Sequence, residues 1–147
     1  MVETMLCTPL INKALDLSYR IHEHQLDRGG TPYILNLYYI AAQMEKESEI
    51  CTALLIDILE DRTMNLTELA GLGFSECILN AVELLKRPKT MSYETYLRRV
   101  KENDLAKKVL IQDISYDLLQ QNQSAGINMN SQKKIMQKQD ALSFLMA

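Results

Sequence analysis

The sequence is poor in the residues that characterise disulfide-rich, β-rich or disordered proteins. Its 147 residues include 5 glycines, 3 prolines, 3 cysteines and no tryptophan. Low glycine and proline content argues against a β-sandwich and against disorder. Cys7, Cys51 and Cys77 have neither paired nor metal-ligand spacing, and an odd number of cysteines is typical of a reducing compartment. We therefore expect free thiols and a cytoplasmic protein.

Features of nucleic-acid-binding and membrane proteins are missing as well. The net charge is -3 and the chain has no basic run, so we expect no nucleic acid as a partner. No apolar stretch approaches the roughly 18 residues of a membrane span. Glu3 stands near the N-terminus, where a signal peptide carries positive charge. We therefore expect no membrane association.

Helical periodicity is the dominant pattern. Hydrophobic residues make up 47% of the chain and recur at spacings of three and four. Asn65 or Thr67, Ser75 and Ser92 stand where helix N-caps are expected. No β-alternation or internal repeat is visible. These patterns predict one all-α domain over residues 1–147 with about seven or eight helices. We expect its core at about 10–121, a mobile loop at about 120–130 and a C-terminal helix at about 131–146.

The stretch of residues 50–61, I-C-T-A-L-L-I-D-I-L-E-D, holds the first candidate site. Apolar residues occupy nearly every side of the predicted helix, which therefore belongs in the interior. Asp57 lies in its middle, and burying a carboxylate without a partner is costly or forces it to protonate. Glu60 and Asp61 follow on the same predicted helical face. Three acids on one face of a core helix predict a site that holds a metal, a cation or a hydrogen-bond network.

A second pair of acids repeats this pattern late in the chain. Asp113 lies within the apolar run V-L-I-Q-D-I, and Asp117 follows one helical turn later. The alternative is that Asp57 and Asp113 only hydrogen-bond to backbone groups or water. His22 and His24 are more often packed or exposed histidines than ligands. The sequence contains no HExxH, CxxC or phosphate-binding P-loop motif.

Five segments in order carry a family resemblance: A-L-D-L-S-Y-R-I-H-E-H-Q, G-G-T-P-Y-I-L-N, A-L-L-I-D-I-L-E-D, M-S-Y-E-T-Y-L-R-R-V and V-L-I-Q-D-I-S-Y-D. The chain resembles the HD-domain hydrolases of the RelA/SpoT type, most closely their small stand-alone members, from about residue 14 to residue 145. Proteins of that family bind one Mn²⁺ and remove pyrophosphate from the 3′ position of (p)ppGpp. The resemblance implies an HD-domain-like helical bundle and a guanine nucleotide such as ppGpp as a ligand.

The family holds its metal with two histidines and two aspartates, and only the aspartates are kept. The family word G-x-P-Y-I-x-H-P reads G-T-P-Y-I-L-N-L, which puts Asn36 at the first histidine. The word A-L-L-H-D-x-x-E-D puts Ile56 at the second histidine and keeps Asp57, and the last aspartate is Asp113. Isoleucine offers no lone pair, and an amide oxygen is a weak ligand for a transition metal. The resemblance therefore predicts residual ligands and no bound cofactor, where the family has Mn²⁺.

The resemblance also assigns catalytic and substrate positions. Glu60 and Asp61 match the residues that act as general acid/base and orient water, although without a metal they have no activated water to work on. Tyr33, Arg28, Lys86 and Asp117 lie at weaker substrate-binding matches. The leading hypothesis is an inactive or impaired relative that acts as a regulatory or interaction module, with a protein partner or homo-oligomer left open. The alternative is an active metal-dependent nucleotide pyrophosphohydrolase with a carboxylate-rich site.

Overall fold

The computed structural model describes residues 8–27, 29–60, 64–124 and 129–147, except for the side chains at 122–124. These residues form eight α-helices: α1 (Pro9–His22), α2 (Ile34–Ala42), α3 (Glu47–Leu54), α4 (Leu66–Gly71), α5 (Glu76–Leu85), α6 (Tyr93–Lys101), α7 (Asp104–Ser124) and α8 (Met129–Met146). Leu26 and Pro32 form an isolated antiparallel β-bridge between α1 and α2. The predicted all-α class and number of helices are confirmed.

Short polar side chains begin several of the helices. Thr8 Oγ1 accepts a hydrogen bond from the backbone N–H of Ile11, and Asn65 Oδ1 accepts one from Glu68. Ser75 and Ser92 cap α5 and α6 in the same way. Each bond satisfies an N–H that has no partner inside its helix, and such a cap contributes about 1 kcal/mol. The caps predicted at Asn65, Ser75 and Ser92 are therefore confirmed.

Helix α3 lies at the centre of the bundle and packs against α1, α2, α5 and α7. Ile50, Cys51, Ala53 and Leu54 have no exposed surface. A helix that is apolar on every side needs neighbours on every side, which α3 has. The predicted interior position of this segment is confirmed. No helix among the described residues is both long enough and apolar enough to cross a bilayer.

The end of the central helix was predicted wrongly. The sequence predicts one helix over residues 50–61, but α3 ends at Leu54 and residues 55–60 form tight turns. In these turns the N–H of Ile58 donates to Leu55 O and the N–H of Glu60 donates to Asp57 O, each at 3.1 Å. The apolar side chains before and after Asp57 are buried. An α-helix with 3.6 residues per turn cannot point so many consecutive side chains into the core, whereas a tighter backbone can. Asp57 therefore lies in a turn, and Asp61 lies outside the described residues.

Helix occupies both ends of the segment that was predicted as a mobile loop at about 120–130. Helix α7 continues through Ser124 and α8 begins at Met129, so only residues 125–128 lie outside the described part of this connection. The polar run contains glutamines, which are good helix formers, and α7 packs along α8. Packing therefore extends α7 into a segment whose composition suggested a loop. The C-terminal helix begins two residues before its predicted start.

A salt bridge ties α3 to α7 on one side of the core. Glu49 is only 7% exposed, and its carboxylate accepts hydrogen bonds from Lys108 Nζ at 2.9 Å and from the backbone N–H groups of Lys46 and Glu45 at 3.1 and 3.2 Å. Burial alone would raise the pKa of Glu49, but these bonds outweigh burial and lower its pKa. The charged form of Glu49 is therefore the one that the fold stabilises.

Replacing Glu49 should destabilise the protein. Glu49→Ala leaves two backbone N–H groups and the Lys108 ammonium without their acceptor, so we expect the free energy of unfolding to fall by about 2 kcal/mol at neutral pH. The difference in free energy of unfolding between the wild type and the variant should shrink as pH falls through the lowered pKa of Glu49. Protonation of Glu49 then removes the stabilising charge from the wild type as well. Urea denaturation measures both effects. Glu83→Ala, a change at an exposed site on α5, is the control and should alter stability by less than about 0.5 kcal/mol.

Candidate functional site

A cleft of about 360 Å³ opens between the end of α1, the connection to α2 and the turns after α3. His22, Gln25, Tyr33, Asp57 and Glu60 line it. Three of these residues, Tyr33, Asp57 and Glu60, were predicted as site residues from the sequence. His22 and Gln25 were not predicted. The signal that marks them is their spacing of three residues directly before the G-G-T-P turn, which makes the chain fold back towards α3.

The connection from α1 to α2 is shaped by Asp27. Its Oδ1 accepts hydrogen bonds from the N–H groups of Gly29 and Thr31, both at 2.9 Å. Gly30 has a φ of 81°, a conformation that glycine adopts without strain. The N–H of Tyr33 then donates to Gln25 O at 2.9 Å, which places the phenol ring at the cleft. The Asp27 side chain therefore shapes the loop that leads into α2.

His22 is buried and forms part of the cleft wall. Its side chain is 4% exposed, its Nδ1 lies 2.8 Å from Gln25 Oε1, and its ring packs against the Tyr33 ring with centroids 4.9 Å apart. The sequence favoured a packed or exposed histidine over a ligand. Within the described residues His22 is indeed packed, and the same packing holds Tyr33 and Gln25 in place.

Four acids form one electrostatic group, the carboxylate cluster of Asp57, Glu60, Asp113 and Asp117. Burial raises the pKa of Asp57 to about 7, with further contributions from Glu60 and Asp117. Burial likewise raises the pKa of Asp113 to about 8, and Asp57 and Asp117 raise it further. Lys138 of α8 opposes this rise and pairs with Asp117 at 3.4 Å. The fold thus brings together acids that are far apart in sequence and leaves them only partly compensated.

Ile56 and Asn36 occupy the two positions at which the family that the sequence resembles has metal-ligating histidines. Ile56 is buried, with 4% of its surface exposed, and presents only hydrocarbon. Asn36 lies on α2, and its Oδ1 is buried with no hydrogen-bond partner among the described residues. Buried polar atoms without partners are uncommon in native proteins, so this oxygen is an unusual feature of the site.

The remaining predicted residues are spread out. Lys86 is exposed at the end of α5 and does not line the cleft. Arg87, its neighbour, places its guanidinium 5.2 Å from the centre of the Tyr93 ring. Burial raises the pKa of Tyr93, Arg87 opposes this rise, and Asp113 and Asp117 add to it. Arg28 and Asp61 lie outside the described residues, so their predicted roles have no structural account.

The side chains present do not fit the Mn²⁺ that the resemblance implies. No three His, Cys, Asp or Glu side chains of the described residues are placed to hold a metal ion. Neither replacement supplies an imidazole nitrogen, the donor that suits a transition metal here.

Comparison with known proteins identifies the fold. No protein-family model matches the chain, and no curated protein matches it either. A solved structure of a metazoan ortholog of SpoT, which hydrolyses ppGpp and plays a role in starvation responses, superposes with a TM-score of 0.75 over 97% of this chain and 88% of that chain. The chain has a SpoT-like fold. The two sequences are 18% identical, so the likeness is one of fold, and it confirms the fold that the five sequence segments predicted.

The raised carboxyl pKa values predict that stability depends on pH. In the unfolded chain Asp113 ionises near its ordinary pKa of 3.8, whereas in the folded protein it ionises near 8. The folded state therefore binds more protons between these values, and this residue lowers stability as pH rises through that window. Asp113→Asn should raise the free energy of unfolding by at least about 1 kcal/mol near pH 8 and by little near pH 4.

Urea denaturation at a series of pH values measures this dependence. Asp140→Asn makes the same chemical change at an exposed position on α8 and serves as the control. A rise in the free energy of unfolding that is equal at acidic and alkaline pH, or that Asp140→Asn also shows, would mean that the fold does not hold Asp113 in its protonated form.

Proposed function

We propose that this protein is a relative of the ppGpp hydrolases that keeps their fold and a small-molecule cleft but has lost metal-dependent hydrolysis, and that it acts as a regulatory or interaction module. The observation that carries the proposal is buried Ile56, which stands where the family resemblance requires an imidazole. Asn36, whose Oδ1 has no hydrogen-bond partner in the part of the chain that the structure describes, stands at the other imidazole position.

The chemistry of hydrolysis explains why these two replacements matter. In metal-dependent hydrolases the ion lowers the pKa of its bound water and so creates a nucleophile at neutral pH. Glu60 lines the cleft here, but a general acid/base accelerates attack only by a nucleophile that is present. A cleft that lacks both imidazole ligands therefore keeps binding surface without the means to activate water.

A guanine nucleotide is the first ligand to test because ppGpp is what the metazoan SpoT ortholog hydrolyses. Tyr33 offers an aromatic face in the cleft, but the carboxyl groups of Asp57 and Glu60 lie beside it, and no lysine or arginine is among the lining residues that the structure describes. A polyphosphate would be repelled by these carboxylates unless a cation intervened. We therefore expect ppGpp to bind weakly and to remain intact.

The competing function is an active pyrophosphohydrolase with a carboxylate-rich site. Asn36 Oδ1, which has no partner among the described residues, favours it, because an amide oxygen together with Asp57 and Asp113 would make an all-oxygen donor set of the kind that hard cations prefer. Such a site would use Mg²⁺ or Mn²⁺ without imidazole. The two functions differ in whether ppGpp releases pyrophosphate.

An assay for pyrophosphate release from ppGpp separates them. We expect no release above background from the purified protein with Mn²⁺ or Mg²⁺ present, because no activated water forms. The metazoan SpoT ortholog, assayed in parallel, is the positive control. Release that depends on the metal and disappears in Asp57→Ala would contradict the proposal and establish the competing function.

Restoring the imidazoles tests the same account in the opposite direction. Asn36→His with Ile56→His should create a measurable affinity for Mn²⁺ and lower the free energy of unfolding by about 2–4 kcal/mol, since a buried polar ring replaces hydrocarbon. Calorimetric titration with MnCl₂ measures the affinity, and circular dichroism checks that the variant is folded. Each single variant is a control and should bind more weakly than the double variant. A folded double variant with no affinity for Mn²⁺ would contradict the placement of these two positions around one metal site.

A further inference from the structure

Helix α2 is uncharged and apolar on nearly every side. Its sequence, I-L-N-L-Y-Y-I-A-A, contains one polar side chain, Asn36, apart from the hydroxyl groups of its two tyrosines. A helix of this kind belongs in an interior, with neighbours on all of its sides. Among the described residues α1, α3 and α7 pack against α2, yet Leu35 remains 46% exposed and Tyr39 remains 39% exposed. One side of α2 therefore has no neighbour in the part of the chain that the structure describes.

The exposed side of α2 continues onto α7. Leu35 and Tyr39 are four residues apart and share a face of α2, and Tyr116 and Leu119 are three residues apart and share a face of α7. The rings of Tyr39 and Tyr116 join the two helices, with centroids 4.7 Å apart. Leu119 is as exposed as Leu35. These four residues therefore form one apolar surface, the α2–α7 patch.

Hydrogen bonds hold the aromatic pair of the α2–α7 patch in place. Gln120 Nε2 donates to Tyr116 Oη at 2.7 Å, and Gln43 Nε2 donates to the backbone oxygen of Tyr39 at 3.4 Å. A surface whose side chains are already ordered loses little conformational entropy when a partner binds. Apolar side chains that cluster on a surface with polar residues around them mark sites of protein–protein contact. The patch therefore has the character of an interface.

The charge pattern indicates which partner fits the patch. Helix α2 has no charged residue, and residues 109–121 of α7 include two, Asp113 and Asp117, which both belong to the carboxylate cluster. A surface that binds an acidic or a basic partner carries the opposite charge. A two-fold dimer brings a patch against its own copy, where each charge lies near its equivalent, so an uncharged patch suits such a dimer.

We propose that two copies of this chain form a two-fold symmetric dimer through the α2–α7 patch. The patch of one copy packs against the same patch of the other, which removes the exposed surfaces of Leu35, Tyr39 and Leu119 from water. This dimer requires neither a metal nor a nucleotide in the cleft, so it goes beyond the proposed function and does not depend on it.

Sedimentation equilibrium over a concentration series tests the dimer. We expect a Kd of about 10 µM or tighter, so that most chains at about 100 µM form a species of twice the chain mass of 16.9 kDa. Leu35→Glu brings negative charge from both copies into one interface and should raise the Kd at least about tenfold. Met136→Glu introduces the same charge at an exposed methionine of α8 and is the control, whose Kd should equal that of the wild type.

A charge-swap experiment tests the two-fold arrangement. Leu35→Lys alone should also weaken the dimer, because like charges again share the interface. Leu35→Glu and Leu35→Lys mixed in equal amounts should form a heterodimer with a lower Kd than either variant alone. Circular dichroism checks that each variant is folded. Leu119→Glu, on the other helix of the patch, should weaken the dimer as Leu35→Glu does, and it tests the interface even where a Leu35 variant fails to fold.

Three results would overturn this interface: a wild-type chain that stays monomeric at about 100 µM, a dimer that both Leu35→Glu and Leu119→Glu leave intact, or an equal loss of the dimer in Met136→Glu. A monomer means that a different partner, or a part of the chain outside the described residues, covers the patch. An intact dimer means that another face joins the copies. The pyrophosphate assay gives a separate answer, since hydrolysis of ppGpp by a dimer overturns only the proposed function.

Discussion

The fold holds the carboxylates of Asp57 and Asp113 in a setting that disfavours their charge, and the character of the cleft follows from this constraint. Burial raises their pKa values to about 7 and about 8, and Asp57 adds to the effect on Asp113. The opposing charge that the structure provides comes from Lys138, which reaches from α8 to Asp117. Acids in such a position need a cation, a proton or a ligand. The raised pKa values of the two described carboxyl groups favour the proton.

The scaffold around these acids resists change for a separate reason. Helix α3 is buried on every side, and Glu49 fixes it to α7 through Lys108. Substitutions within this core are costly, since a buried helix cannot lose volume or gain polar groups without loss of stability. Ile56, at the position where the resembling family has an imidazole, adds apolar packing to the core. A SpoT-like fold persists here at 18% identity, and the proposed loss of its metal site would leave that fold intact.

Local sequence patterns predicted the features that depend on local physics. The helical class follows from apolar spacing, and the N-caps at Ser75 and Ser92 follow from single side chains that bond to their own helix. Two predictions failed because tertiary packing decides them. Residues 55–60 leave the helix so that several consecutive apolar side chains become buried, and α7 extends to Ser124 because it packs along α8. Asp57 and Asp113 were found as acids within apolar stretches, and the family resemblance then assigned them as metal ligands. His22 and Gln25 were missed because their role depends on how the connection folds back over the end of α1.

The central claim is that the cleft has lost its metal, and metal analysis of the protein tests it most directly. Protein purified in the presence of Mn²⁺, freed of excess ion and analysed by mass spectrometry of its metal content should contain far less than one ion per chain. A stoichiometric Mn²⁺ that disappears in Asp57→Ala and Asp113→Ala would contradict the account, because it would show that two carboxylates hold the metal without imidazole.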